Sequence, residues 1–275
     1  MKVLVLGASG FLGGHLYKKL KGDGKFQVLG TFNNSSNNEE LARVDVTNQD
    51  EVQGVMKAFN PDVIIWSLMS TYNEEVMVKS GLNNILRTIS KNAKLVFISS
   101  NAVFSSGKGN YKETDKPQIR KENDNLALYA MGKIYGEEIV KDMNNYIIVR
   151  PGAIYGKDIY GRWDKRIEKF ISEIENHKEV IRTKNLYNTF VKVEELASGI
   201  IELIKMNYKG IIHLGPQNKE SYHSYYRRIS KQLGLDDNIV KGNIISDEEA
   251  ERANILLDNS INTDKARSLL GNVFL

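Results

Sequence analysis

Residues 3–13 read Val-Leu-Val-Leu-Gly-Ala-Ser-Gly-Phe-Leu-Gly. The four leading apolar residues predict a buried strand, and Gly7, Gly10 and Gly13 follow in a G-x-x-G-x-x-G pattern. A helical pattern that opens at Phe11 completes a strand–loop–helix unit. Glycines at this spacing let the backbone approach a pyrophosphate at the positive N-terminus of the helix. The stretch therefore predicts a dinucleotide-binding unit, and a strand-to-helix turn without a ligand is the alternative.

Short apolar runs alternate with helical patterns over the first two-thirds of the chain, as in a parallel sheet covered by helices. The apolar runs are nearly continuous, which is expected of strands buried on both faces. The predicted strands are Val3–Leu6, Phe26–Gly30, Val63–Trp66, Leu95–Ser99 and Tyr146–Val149, and the predicted helices are Phe11–Lys21, Gln49–Phe59, Glu74–Lys91 and Leu126–Met143. The sequence therefore predicts an α/β fold, a Rossmann doubly wound parallel sheet with helices on both faces.

The pattern loosens after Pro151 and Gly152, and we predict a dinucleotide-binding domain at 1–152 and a smaller α/β substrate lobe at 153–275. Some of the later segments are expected to return to the main sheet. The elements predicted there are helices at Asp164–Asn176, Glu194–Met206 and Ser221–Leu233 and strands at Val180–Arg182 and Ile211–Leu214. The aromatic run Tyr222–Tyr226 has helical spacing, which favours packing inside this lobe over a binding platform.

Composition narrows the functional classes. The 275 residues carry a formal net charge of only +4, with basic and acidic residues interleaved, which argues against a nucleic-acid-binding protein. The chain has no cysteine, which excludes disulfides, thiolate metal sites and a cysteine nucleophile, and its four histidines lack metal-ligand spacing. No apolar run approaches the ~20 residues of a membrane helix. We expect a cytoplasmic protein with no metal and no membrane partner.

A tyrosine and a lysine one helical turn apart are the candidate acid/base pair. Tyr129 and Lys133 form a Y-x-x-x-K pattern within a predicted helix, so both side chains share one face. An ammonium next to a phenol stabilises the phenolate and makes proton transfer easier. Upstream, a buried strand ends in Ser99 and Ser100, at the sheet edge where ligands of open α/β sheets bind. An exposed Tyr/Lys pair and turn-capping serines are the alternatives.

Together these motifs resemble the extended short-chain dehydrogenase/reductase superfamily, with the nearest likeness to nucleotide-sugar reductases of the dTDP-4-dehydrorhamnose reductase type. The resemblance covers most of the chain. The motifs that carry it are the glycine loop, Asp45-Val46-Thr47 after a third short strand, Ile98-Ser99-Ser100, Tyr129 to Lys133, Arg150 to Gly156, and Phe190 to Ala197. A late Leu257-Asp258 and Lys265 add to the likeness to the reductases.

The resemblance implies roles for individual positions. Tyr129 would exchange the proton, Lys133 would hold the nicotinamide ribose, and Ser100 would orient the reacting oxygen. Asp45 and Val46 would contact adenine. The full set of implied cofactor-binding residues is Gly7, Gly10, Phe11, Leu12, Gly13, Asn33, Asp45, Val46, Leu68, Met69, Tyr129, Lys133 and Pro151. The substrate candidates are Asn101 from the reductase motif, and Arg162 and Trp163 from their place in the loop that opens the second lobe.

Departures from the reductase pattern bear on cofactor and substrate. The second strand ends at Phe32-Asn33 without the acid that holds the ribose of NAD, so NADP is tolerated and slightly favoured. Asn101 stands where the reductases have aspartate, and Val78 stands where their fourth helix has asparagine. Trp66-Ser67-Leu68-Met69 replaces small residues, which crowds the nicotinamide side.

Three functions remain open. The first is NAD(P)H-dependent reduction of the 4-keto group of a nucleotide-diphosphate 6-deoxy sugar, with a homodimer as the candidate assembly. The second is a nucleotide-sugar 4-epimerase that keeps its NAD bound. The third is a non-catalytic subunit like the regulatory subunit of methionine adenosyltransferase, since fold alone does not fix function. Sugar 4,6-dehydratases are disfavoured because Ser100-Asn101 supplies no acidic pair.

Overall fold

A computed structural model describes residues 1–34, 38–70, 74–120, 126–271 and 273–274. Within these residues the strands are β1 (Lys2–Leu6), β2 (Gln27–Phe32), β3 (Ala42–Arg43), β4 (Val63–Trp66), β5 (Lys94–Ile98), β6 (Tyr146–Pro151), β7 (Ala153–Tyr155), β8 (Val180–Thr183), β9 (Tyr187–Asn188), β10 (Phe190–Lys192), β11 (Gly210–Leu214), β12 (Glu220–Ser221) and β13 (Val240–Asn243). The helices are α1 (Phe11–Asp23), α2 (Gln49–Phe59), α3 (Glu74–Leu86), α4 (Ala127–Lys141), α5 (Lys165–Glu175), α6 (Val193–Lys205), α7 (Tyr222–Gln232), α8 (Asp247–Arg252) and α9 (Asp264–Leu270).

Seven of the described strands form one parallel sheet in the order β11-β6-β5-β4-β1-β2-β3. The chain builds outward from β1 to β3, then crosses to β4 and builds in the other direction. Ligands of open α/β sheets bind at the carboxyl ends of the strands where the order reverses, which here is between β1 and β4. The predicted Rossmann architecture is confirmed, and its crevice opens beside the glycine loop.

Helices cover both faces of this sheet. Apolar side chains of α1, α6 and α9 pack on one face, and those of α2, α3 and α4 pack on the other. The strands between them are almost fully buried, as their continuous apolar sequences predict. Helix ends follow local capping rules: Asn48 accepts hydrogen bonds from the first turn of α2, and Gly24 ends α1 at φ 72°.

Helix α3 is shorter than its sequence pattern indicates. We predict Glu74–Lys91 from the sequence, but the helix ends at Leu86. The hydroxyl of Thr88 donates to the carbonyl oxygens of Asn84 and Ile85, both at 3.0 Å, and such bonds compete with helix continuation. The prediction was therefore wrong at this end, and the remaining residues form the turn into β5.

Residues from the second half of the chain form a separate small core. Strands β8 and β13 pair in parallel, and α5 and α7 pack against them around buried aromatic rings. The rings of Phe190 and Tyr225 stack at a centroid distance of 3.9 Å, and Tyr226 packs on Phe170. The aromatic run at Tyr222–Tyr226 thus contributes to packing. Strand β11 returns from this half of the chain and pairs with β6 at one edge of the main sheet.

Candidate active site

The glycine loop connects β1 to α1 with a very close backbone approach. Gly7 has φ +83°, a left-handed conformation that favours glycine, and the amide of Gly10 donates to its carbonyl oxygen at 2.9 Å. A Cβ on Gly13 would lie 2.0 Å from that same oxygen. Glycine at the N-cap position offers no side-chain acceptor to the first-turn amides of α1, which include those of Phe11 and Leu12, and such amides are suited to binding an anion. The loop has the geometry of a pyrophosphate cradle.

The residues implied for the adenosine end follow the adjacent strands β2 and β3. Asn33 is exposed just after β2. Asp45 is half-buried, and its Oδ1 accepts hydrogen bonds from the amide and the hydroxyl of Thr47. Val46 is buried, and its carbonyl oxygen accepts a hydrogen bond from Asn84 Nδ2 at 3.0 Å. These residues lie at the carboxyl edge of the sheet, on the same side as the glycine loop.

The residues after β4 lie against the glycine loop. The Cδ2 atom of Leu68 is 2.9 Å from the point where a Cβ of Gly7 would stand. Met69 follows it with 68% of its surface exposed. The carbonyl oxygen of Leu68 accepts a hydrogen bond from Lys133 Nζ at 3.1 Å. This contact links the glycine-loop side of the crevice to the candidate acid/base pair on α4.

Tyr129 and Lys133 lie one turn apart on α4, as their spacing predicts. The ammonium of Lys133 is 5.4 Å from the ring centroid of Tyr129 and 5.4 Å from that of Phe97. Lys133 is buried, whereas Tyr129 is half-buried near the start of the helix. A partly accessible phenol beside a buried ammonium is suited to proton exchange with a ligand in the crevice.

A carboxylate that the sequence does not predict lies beside Lys133. Glu74, the first residue of α3, places Oε1 2.8 Å from Lys133 Nζ, with side-chain exposures of 1% and 3% for the pair. Its Oε2 accepts a hydrogen bond from the amide of Ser70. No local pattern links Glu74 to Lys133, because the contact depends on how α3 meets α4.

Ser99 and Ser100, at the end of β5, have different roles in the structure. The hydroxyl of Ser99 is buried and donates to Glu137 Oε1 at 2.6 Å. Ser100 is half-buried, and its Oγ accepts a hydrogen bond from the amide of Ala102 at 3.1 Å. That bond leaves the Ser100 hydroxyl hydrogen available to another acceptor. Of the two serines, Ser100 is the one placed to contact a ligand.

A buried ion pair joins the helix that carries Tyr129 and Lys133 to the central sheet. Arg150 on β6 donates to Glu137 on α4 through Nε and Nη2, at 2.8 and 2.6 Å. Burial alone raises the pKa of the Glu137 carboxyl, but the hydrogen bond and charge of Arg150 outweigh it and hold that pKa below its usual range. The pair therefore fixes α4 relative to β5 and β6. Pro151 is buried at the end of β6 and precedes β7 by one residue.

The three substrate candidates lie in different environments. Asn101 is buried, and its Nδ2 donates to Asn188 Oδ1 and to the carbonyl oxygen of Asn259, both at 2.8 Å. Arg162 is exposed and its guanidinium contacts Asp158 Oδ2 at 2.7 Å. Trp163 is half-buried, with the ammonium of Lys157 4.8 Å from its ring centroid. The amide hydrogens of Asn101 thus tie the segment after β5 to the second half of the chain.

The described residues contain no group of three or more histidine or acidic side chains arranged to hold a metal ion. In the same residues, no helix combines the length and apolarity that a membrane crossing requires.

Comparison with curated proteins finds relatives that share part of the chain. It is 29% identical over 168 residues to a dTDP-4-dehydrorhamnose reductase of Aggregatibacter actinomycetemcomitans, covering 57% of this chain and 52% of that protein. It is also 29% identical over 168 residues to methionine adenosyltransferase 2 subunit beta of Danio rerio, covering 57% and 49%. The chain thus spans about half the length of these curated relatives.

A solved structure supports the same fold over the whole chain. The dTDP-4-dehydrorhamnose reductase of Bacillus anthracis strain Ames, in complex with NADP, superposes with a TM-score of 0.76 at 22% identity, covering 100% of this chain and 93% of that chain. The family described as the NAD dependent epimerase/dehydratase family matches residues 3–215. This match confirms the resemblance to extended short-chain dehydrogenases, and the chain belongs to the NAD dependent epimerase/dehydratase family.

Proposed function

We propose that this protein is an oxidoreductase that uses NADPH or NADH to reduce the 4-keto group of a nucleotide-diphosphate 6-deoxy sugar. One observation carries the proposal: the Lys133 ammonium contacts the Leu68 carbonyl beside the glycine loop and also lies over the Tyr129 ring. A dinucleotide cradle and an acid/base pair are thereby joined at the crevice of a Rossmann sheet.

The glycine loop fits a nicotinamide dinucleotide, because the missing Cβ at Gly13 lets the loop fold tightly against the start of α1, where a pyrophosphate can approach the backbone. The free amides of the first turn of α1 would hold the pyrophosphate, and Asp45 and Val46 would contact adenine. The family name specifies NAD, and the related Bacillus anthracis enzyme was solved with NADP. When bound, the cofactor supplies the hydride.

The chain's own residues supply position and the proton. Tyr129 donates its phenolic proton to the carbonyl oxygen of the substrate, and the buried Lys133 ammonium beside it stabilises the negative charge that then remains. Ser100 donates its uncommitted hydroxyl hydrogen to the same oxygen. The half-buried Trp163 offers a ring on which the nucleotide base stacks, and Arg162 meets the diphosphate once it exchanges its Asp158 partner.

Absorbance at the reduced-nicotinamide band tests the proposal. Purified protein is mixed with NADPH or NADH and a panel of nucleotide 4-keto-6-deoxy sugars. We expect oxidation that requires the sugar and is lost by at least about 100-fold in Tyr129→Phe. Cofactor binding without oxidation for every sugar in the panel would contradict the reductase.

A second candidate function is that of a non-catalytic subunit. The observation that favours it is the 29% identity to methionine adenosyltransferase 2 subunit beta over 168 residues. In that case Tyr129→Phe leaves binding to a partner protein unchanged. A 4-epimerase, the third alternative, converts one sugar to another with no net consumption of reductant, so product analysis of the same reactions separates it from the reductase.

A further inference from the structure

Glu74 is a buried carboxylate that contacts the candidate acid/base pair from a different helix. Its Oε1 lies 2.8 Å from Lys133 Nζ, and only 1% of its side chain is exposed. An ion pair on the surface contributes little to stability because water screens its charges. A pair that is buried away from water acts more strongly on neighbouring groups. The charge of Lys133 therefore acts on Tyr129 together with that of Glu74.

The backbone fixes Glu74 in this position. A Cβ on Gly132, the residue before Lys133, would lie 2.7 Å from Glu74 Cγ and 3.0 Å from the amide nitrogen of Glu75. The start of α3 thus rests directly on α4 at a point where a side chain on residue 132 would force a neighbouring group to shift. Ser70 donates its amide hydrogen to Glu74 Oε2 and holds the other carboxylate oxygen. The contact is built into the packing of two helices.

The surroundings of Lys133 show which charges act on Tyr129. The Lys133 ammonium donates a hydrogen bond to the Leu68 carbonyl oxygen and lies 2.8 Å from Glu74 Oε1 as an ion pair. From β5 the ammonium meets the apolar ring of Phe97. Further along α4, Glu137 is paired with Arg150 of β6 and lies 3.6 Å from Lys141. In the described part of the chain, the charge that directly offsets Lys133 is that of Glu74.

We propose that Glu74 is a positioning residue that holds Lys133 between α3 and α4 and offsets its charge, so that Tyr129 is kept as a proton donor. An isolated ammonium stabilises a phenolate and favours removal of a proton from an alcohol. A neutral Lys133–Glu74 pair stabilises it less, and the phenol then persists to higher pH. The site is thereby biased towards carbonyl reduction. This inference rests on the proposed function for its catalytic meaning.

The titration of Tyr129 in the cofactor-free protein tests the proposal. Protein labelled with ¹³Cζ-tyrosine gives one resonance per tyrosine, and the Tyr129→Phe variant assigns the relevant one. In Glu74→Gln we expect the Tyr129 titration midpoint to fall by about one pH unit, because the ammonium now acts alone. The alkaline limb of the reduction rate should move in the same direction. An unchanged midpoint would overturn the proposal.

The neighbouring Glu75 provides a matched control. It pairs with Lys79 one turn away on the same helix, with both side chains at least one third exposed. Glu75→Gln changes the charge of α3 by the same amount but should leave the Tyr129 midpoint where it is. A midpoint that falls equally in both variants would show a general charge effect of the helix and would refute the specific role of Glu74.

A second pair of variants decides the matter if Glu74→Gln does not fold. Lys133→Met leaves a buried carboxylate near Tyr129 and should raise its midpoint by about one pH unit. The double variant Glu74→Gln/Lys133→Met removes both charges and should restore the wild-type midpoint. Equal midpoints in the single and double variants would overturn the proposal. Because this readout needs neither cofactor nor sugar, absence of turnover in the wild type would contradict the proposed reductase separately.

Discussion

Two parallel hydrogen bonds join Arg150 to Glu137: Nε donates to Oε1 at 2.8 Å and Nη2 donates to Oε2 at 2.6 Å, with both side chains almost fully buried. Glu137 also accepts the hydroxyl hydrogen of Ser99, the residue before the candidate Ser100. The ion pair thus joins the strand end that carries Ser100 to the helix that carries Tyr129. Three elements of the site depend on one buried carboxylate.

Removing one partner of this ion pair should lower the stability of the fold. Arg150→Met leaves the Glu137 carboxylate buried without its main partner, and we expect the free energy of unfolding to fall by about 3–5 kcal/mol. Urea denaturation followed by circular dichroism measures it. The double variant Glu137→Leu/Arg150→Met should recover most of the loss, and Glu75→Gln at the exposed pair should cost less than about 1 kcal/mol. A loss below about 1 kcal/mol in Arg150→Met would contradict the prediction.

His213 should make the fold sensitive to mild acid. It is fully buried on β11, its Nδ1 donates to the carbonyl oxygens of Tyr111 and Asn262, and burial lowers its pKa from 6.5 to about 4. Between these values the unfolded chain binds more protons than the folded one, so stability is lost as the pH falls from about 6.5 to about 4 and this group causes no further loss below that.

We expect His213 to lower the free energy of unfolding by roughly 2–4 kcal/mol as the pH falls from about 6.5 to about 4, because each unit of pKa difference corresponds to about 1.4 kcal/mol. Urea denaturation at several pH values measures it. His213→Gln should flatten this part of the pH dependence. His177→Asn, at an exposed position of φ 53° that asparagine tolerates, should leave the pH dependence as it is. Parallel curves for wild type and His213→Gln would refute the prediction.

Gly13 should be essential for cofactor binding. Alanine there would place a Cβ 2.0 Å from the carbonyl oxygen of Gly7, so the loop must open. We expect Gly13→Ala to weaken NADPH binding by at least about 100-fold, measured by calorimetry. Gly22→Ala on the same helix meets no atom within 4 Å and should instead stabilise the fold by about 0.5–1 kcal/mol. Equal NADPH affinity in both variants would be inconsistent with a phosphate cradle at the loop.

Asn33 should influence the choice between the two nicotinamide cofactors. A carboxylate at the end of β2 repels the 2′-phosphate of NADP and binds the ribose of NAD. We expect Asn33→Asp to change the ratio of NADPH to NADH affinity by about tenfold in favour of NADH, which is roughly 1.4 kcal/mol. Asn33→Ala adds no charge and serves as the control. The same ratio in all three proteins would show that the adenosine end lies elsewhere.

Local patterns explain which parts of the site were predictable. The glycine loop lies within one strand–loop–helix unit, and the Tyr129–Lys133 pair lies within one helix. In both cases the spacing in the sequence is enough to predict the local arrangement. Glu137 lies a further turn along the same face of α4 as Lys133, so the periodicity of that helix offered a signal for it. The periodicity does not predict which residue pairs with Glu137, because Arg150 lies on a different element, strand β6.

Glu74 could not be predicted from spacing. Its contact with Lys133 requires α3 to begin beside Gly132, and that geometry is set by the packing of two helices. The same reason applies to Asn101, which the sequence suggests as a ligand contact. Its amide hydrogens bind Asn188 and Asn259, which come from the other half of the chain. Tertiary contacts of this kind leave no periodic trace in the sequence.

The pairing of β11 with β6 has a consequence for how the protein is made. While the chain emerges from the ribosome, β6 has an open edge until residues 210–214 have been synthesised. An open edge of a parallel sheet is a template for pairing with another chain. A nascent or proteolysed fragment that ends near residue 152 should therefore aggregate. In chains that include β11, that strand covers the edge of β6, and its own backbone is partly occupied because the amide of His213 donates to Glu113 and the carbonyl oxygen of Ile211 accepts from Lys265.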